Sequence, residues 1–64
     1  MGYRLKSKLT GQYVSTYDME TDKITWADDM ASAAFFTYEA DAKDILSYFS
    51  FMTRLTIKIV EENG

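Results

Sequence analysis

The 64-residue chain is predicted to be an α+β domain: a small, mostly antiparallel sheet of three N-terminal strands and one C-terminal strand, packed by one main helix, with a short helical turn near residues 29–33. Three patterns carry this expectation. Residues 3–9 and 55–60 alternate apolar and polar side chains with the period of two that a half-buried strand requires. Gly11 and the acidic run DMETDK at 18–23 mark turns that divide the N-terminal part into short segments. Tyr38, Ala42, Ile45, Phe49 and Met52 recur at steps of four and three, with Leu46 widening the stripe, as on one face of a helix.

The first strand places Tyr3, Leu5, Ser7 and Leu9 on one side and Arg4, Lys6 and Lys8 on the other. A second strand spans residues 13–17. A two-residue Thr10-Gly11 loop would need positive φ at a β-branched threonine, which its Cβ resists. A three-residue loop, Leu9-Thr10-Gly11, puts glycine in the left-handed slot beside a bulge and is preferred. In that register Lys8 faces Gln12, Ser7 faces Tyr13, Leu5 faces Ser15 and Tyr3 faces Tyr17, so the tyrosines join the apolar face. The two-residue loop would instead bring Tyr13 and Tyr17 to the basic face.

Ile24-Thr25-Trp26 forms a short third strand, and Asp28 or Asp29 can cap a helical turn over residues 30–33. Residues 34–36 read as extended. Thr37 is a good N-cap for the main helix, with Glu39 and Asp41 in the first turn, where the helix dipole favours negative charge. That helix runs to about residue 51. Arg54 suits its C-terminal end, and Leu55, Ile57 and Ile59 then alternate with Thr56, Lys58 and Val60 in the final strand.

Sixty-four residues make one domain, 1–64, which buries only about 60% of the surface its unfolded chain exposes. Disulfides and metals usually support so small a core. This chain has no cysteine and no histidine, so large side chains (one Trp, five Tyr, four Phe, four Met) or homo-oligomerisation must compensate. The lack of cysteine fits a reducing cytoplasm. No apolar run approaches the roughly 20 residues that cross a bilayer, and residues 1–8 lack the apolar segment of a secretory signal. A cytoplasmic protein without membrane contact is expected.

The same absences argue against an enzyme. The usual neutral-pH base, thiol nucleophile and zinc ligands are missing. Adjacent carboxylates at Asp28 and Asp29 diverge, and a helix cap accounts for at least one. Asp18, Glu20 and Asp22 have the opening spacing of an EF-hand loop, but Lys23 and Asp29 stand where it needs glycine and glutamate. The three glycines, Gly2, Gly11 and Gly64, build no phosphate cradle. No catalytic residue, metal or cofactor is expected.

Binding remains. Arg4, Lys6 and Lys8 on one strand face form a nucleic-acid-binding candidate, since sheet-based single-strand binders join basic grooves to aromatic platforms. The net charge of −3 opposes that reading. For protein binding, the acidic residues Asp18, Glu20, Asp22, Asp28 and Asp29 flank the third strand and can form one negative end. On a helix reaching residue 51, Tyr48 and Phe51 lie off the apolar stripe and face a partner; if the helix ends at Ser50, Phe51 folds back into the core. The strand at 55–60 can also accept a strand from another chain if it lies at the sheet edge, with Lys58 as its one gatekeeper.

Residues 11–46 carry a Tyr-rich strand (Tyr13, Tyr17), an acidic turn, a strand ending in an aromatic (Ile24, Trp26), Asp28-Asp29, Ala34, Phe36 and a capped helix with an early Glu-Ala (Thr37, Glu39, Ala40). This pattern resembles small bacteriophage and bacterial accessory proteins of ββαβ type. The resemblance implies a phage-encoded viral protein that acts in the host cytoplasm as an inhibitor or modulator of a host protein or defence complex; it transfers no site residue. The expected function is therefore non-enzymatic protein binding. A nucleic-acid-binding accessory protein and a homo-oligomeric structural subunit are the alternatives.

Overall fold

The computed structural model describes residues 2–18, 20–21 and 23–62. Its elements are β1 (Gly2–Ser7), β2 (Tyr13–Asp18), β3 (Lys23–Ala27), a 3-10 turn at Met30–Ser32, α1 (Glu39–Ser47), α2 (Phe51–Leu55) and β4 (Ile57–Glu62). The four strands form one antiparallel sheet in the order β3-β2-β1-β4, so the C-terminal strand is an edge strand beside the first. Helix α1 lies on the sheet. Leu5, Val14, Ala42, Phe49 and Ile57 are buried between the two layers, with Tyr17, Ile24, Phe36, Ile45 and Ile59 packed around them. This is the expected α+β architecture, with the 3-10 turn capped by Asp29, whose carboxylate accepts the Ser32 N–H at 2.9 Å.

The first hairpin departs from the preferred register. Gly11 does take the left-handed conformation, with φ of 77°. The loop, however, is one residue longer: the Ser7 N–H donates to the Gln12 carbonyl at 2.8 Å and the Gly11 N–H to the Ser7 carbonyl at 3.1 Å. Lys6, not Ser7, therefore stands opposite Tyr13. The cause is the Ser7 hydroxyl, which the sheet buries: it accepts the N–H groups of Leu9 and Thr10 at 3.1 and 3.2 Å and so stabilises the longer turn. A slip of one residue turns a side chain to the other face. Tyr13 consequently joins Lys6, whose Nζ lies 5.4 Å from its ring centroid.

Nor does β2 stay beside β1. Tyr3 exchanges both backbone hydrogen bonds with Phe36, at 2.7 and 3.0 Å, and the Ala34 N–H donates to the Val14 carbonyl at 3.0 Å. The extended segment at 34–36 thus occupies the place the expected Tyr3–Tyr17 pair would have filled. Tyr17 still reaches the core, by another route. The β2–β3 register shifts between Val14 and Thr16, a bulge that leaves Val14 and Tyr17 on one face. Tyr17 packs on Phe49 at 4.1 Å between centroids, and its hydroxyl donates to the Tyr48 carbonyl at 2.9 Å.

The main helix is shorter than its apolar stripe predicts. Tyr38, not Thr37, occupies the N-cap position and supplies no side-chain cap; Glu39 and Asp41 are left to answer the dipole. Helix α1 ends at Ser47, closing with N–H donation from Tyr48 to the Ile45 carbonyl (3.0 Å) and from Phe49 to the Leu46 carbonyl (3.1 Å), the tighter pitch common at helix ends. The bend lets Phe49 enter the core. Ser50 then starts a new helix, its Oγ accepting the Thr53 N–H at 3.4 Å and donating to Thr53 Oγ1 at 2.9 Å. Leu55 and Thr56, expected in the last strand, end α2 instead, and β4 begins at Ile57.

Candidate protein-binding surface

Helix α2 concentrates three of the large apolar groups that the fold leaves exposed. Phe51 is 64% exposed, Met52 73% and Leu55 54%, all within five residues. Tyr48, at the bend before it, is 53% exposed. Phe51 and Leu55 are four apart and share a helix face, the spacing by which a short helix inserts anchors into a groove. The only charge on α2 is Arg54, whose guanidinium carbon sits 5.7 Å from the Phe51 ring centroid. The Lys8 N–H donates to the Thr56 carbonyl at 2.7 Å, which draws the turn bearing the exposed Leu9 up to the C-terminal end of α2.

Tyr48 and Phe51 are therefore both at the surface, although neither reading of the helix end produced this arrangement: the helix stops early and Phe51 still does not fold back. Met52 and Leu55, which the sequence patterns assign to the core stripe and the last strand, are exposed beside them. The available signal was Ser50, a good N-cap residue three positions before the backbone N–H it accepts.

Among the described residues the acidic candidates do not form one negative end. Asp18 pairs with Lys23 at one end of β3 and accepts the Glu20 N–H at 2.9 Å, whereas Asp28 and Asp29 follow its other end. Four strand steps, about 13 Å, separate the two groups. Asp28 accepts from Gln12 Nε2 at 2.8 Å, and Asp29 caps the 3-10 turn. Asp22, with Met19, lies outside the described residues. Among the described residues no group of three or more carboxylates could hold a metal ion.

The basic candidates also separate. Arg4 is 9% exposed. Its Nε and a terminal nitrogen both reach Glu62 Oε2, at 3.0 and 2.9 Å; the other terminal nitrogen donates to the Ala33 carbonyl at 2.7 Å. The guanidinium carbon lies 4.9 Å from the Phe35 centroid. A Cβ added to Gly2 would come within 2.2 Å of Phe35 ring carbons, so the ring rests on bare backbone there. Arg4 thus ties β1 to β4 and to the 33–35 segment. Lys6 remains on the sheet face away from α1, directly opposite Lys58 and beside Tyr13. Lys8 is exposed in the turn.

Where 34–36 parts β1 from β2, an apolar cavity of about 220 Å³ opens beneath α1, lined by Leu5, Val14, Thr16, Tyr17, Ala34, Phe36 and Ile45. The Tyr3 hydroxyl donates to Glu61 Oε2 at 3.4 Å. Its pKa is raised, first by the negative charge of Glu61, then by burial and by Glu39. No helix among the described residues is long and apolar enough to cross a membrane. No protein-family model, curated protein or solved structure matches the chain.

Proposed function

We propose that this chain is a non-enzymatic protein-binding domain whose contact surface is α2. The observation that carries the reading is the cluster of Phe51, Met52 and Leu55, each more than half exposed, on a helix that contributes no buried residue to the core. A fold with so few buried apolar groups has more to gain from burying such residues than from displaying them. The complementary partner is a protein with an apolar groove that accepts two anchors one helical turn apart. An inhibitor or modulator of a host protein, the function implied by the phage-type pattern, is the narrower form of this proposal.

The test is capture by the tagged protein from bacterial lysate, with and without nuclease, repeated with Phe51→Ala/Leu55→Ala and with Lys6→Ala/Lys8→Ala. A stoichiometric protein that survives nuclease, is kept by the lysine variant and is lost by the α2 variant supports the reading. Thermal melts verify that both variants fold. Retention by the α2 variant overturns it. One observation favours a second reading: the observed register sets Tyr13 beside Lys6, and Lys58 opposite Lys6, on the open sheet face. Material that disappears with nuclease, and with the lysine variant, assigns that face to single-stranded nucleic acid.

A further inference from the structure

The outer edge of β4 has a defined hydrogen-bonding pattern. The bond from the Lys8 N–H to the Thr56 carbonyl extends the β1–β4 ladder and fixes its parity. The pairs Lys6–Lys58, Arg4–Val60 and Gly2–Glu62 are hydrogen-bonded, so Ile59 and Glu61 turn their N–H and C=O groups outward. With β4 last in the sheet, those groups have no strand partner among the described residues. Ile57 also has outward parity, but it is buried and leaves the free edge to 59–62.

The charges on this edge are self-complementary. Lys58 stands opposite Lys6 within the sheet, a like-charge pair, and has no ion-pair partner among the described residues. Glu62 uses Oε2 for both Arg4 contacts, leaving Oε1 with no partner among them. An antiparallel strand with its own twofold axis at Val60 sets each Lys58 opposite Glu62 of the second copy. It also pairs Ile59 with Glu61 of that copy through outward backbone groups. The Lys58–Glu62 and Val60–Val60 pairs then fall at non-hydrogen-bonded positions, where side chains come closest.

We propose that β4 is a self-association edge: two copies join antiparallel at Val60, with Lys58 of each against Glu62 of the other, making one eight-stranded sheet. A single-residue shift in the pairing would put side chains on the wrong faces. A two-residue shift one way sets Lys58 against Val60 and draws in the covered Ile57, and the other way sets Glu61 against Glu61; both lose the Lys58–Glu62 pairs. This edge is separate from the α2 surface, so either proposal can fail alone.

The chain has no cysteine, which makes the register directly testable. In Val60→Cys the two thiols lie on paired residues with Cα atoms about 4.5 Å apart, within disulfide range. In Ile59→Cys the equivalent residues are offset by two positions, beyond about 7 Å. With oxidised glutathione, Val60→Cys should convert to covalent dimer at least tenfold faster than Ile59→Cys. Native protein in sedimentation should shift from monomer towards twice the monomer mass as concentration rises, and the charge reversal Lys58→Glu should abolish the shift while leaving the circular dichroism spectrum intact. Equal cross-linking rates, or a monomer mass for the native chain at all concentrations up to millimolar, overturn the proposal.

Discussion

Strand β1 and helix α2 draw on the same kinds of side chain and use them in opposite ways. Leu5 is fully buried, while Leu55 is mostly in water. Arg4 makes three polar contacts and stacks on Phe35; Arg54 merely lies over the exposed ring of Phe51. Strand β1 is held on both sides, by β4 along its length and by Phe36 and Tyr13 on the other edge. Helix α2 is held by its Ser50 cap and by the strand that follows it. The difference divides the molecule into residues that make the fold and residues that the fold displays. Only the second set can be changed without consequences for folding, and so only it can report on function.

The largest effect should separate the two leucines. Leu5→Ala removes a fully buried side chain next to an existing cavity and should lower the urea-unfolding free energy by about 2–5 kcal/mol. Leu55→Ala should change it by less than about 0.5 kcal/mol, as exposed substitutions usually do. Similar losses at both positions would show that α2 is part of the core and would end the contrast.

The two arginines give a smaller difference. Arg4→Ala strips Glu62 and the Ala33 carbonyl of their partner and should cost about 2 kcal/mol, below the range for a fully buried pair because Glu62 keeps some solvent. Arg54→Ala loses an exposed cation–π contact worth about 0.5 kcal/mol. Denaturation in high salt sharpens the comparison: the Arg4 effect should persist where an exposed pair would be screened.

How much of this was legible depended on whether neighbours along the chain or across it decide the outcome. Period-two alternation marked β1 and most of β4, and Asp29 marked the 3-10 turn, because caps and alternation are local. The register of the first hairpin was not legible. Gly11 favoured one loop, but the Ser7 hydroxyl, buried by the sheet, stabilised a longer one. The helix stripe misled for a similar reason: its periodicity continues through Phe49 to Met52, while from a distant strand the Tyr17 ring packs on Phe49 and its hydroxyl bonds the Tyr48 carbonyl. The candidate surface was half legible. Tyr48 and Phe51 stood out as aromatics off the stripe; Met52 and Leu55 did not, because their exposure follows from a bend set by tertiary contact.

The smallest expected effect tests whether the firm hold on β1 extends to the Tyr3 side chain near its start. Tyr3 keeps its proton above the ordinary value near 10, chiefly because Glu61 on β4 repels a second negative charge. Since the folded-state pKa is the raised one, the folded state is favoured fully below the unfolded value, and that advantage is lost as pH rises through the folded value. Stability should therefore fall on the alkaline side, as pH rises from about 10 through the raised folded value. Glu61→Gln removes the leading cause. Its Tyr3, followed by phenolate absorbance against a Tyr3→Phe background, should titrate closer to the ordinary value, and the alkaline decline in the urea midpoint should flatten. If the two titrations superimpose, Glu61 is not held against Tyr3 in solution, and the tight region of β1 begins only at Arg4.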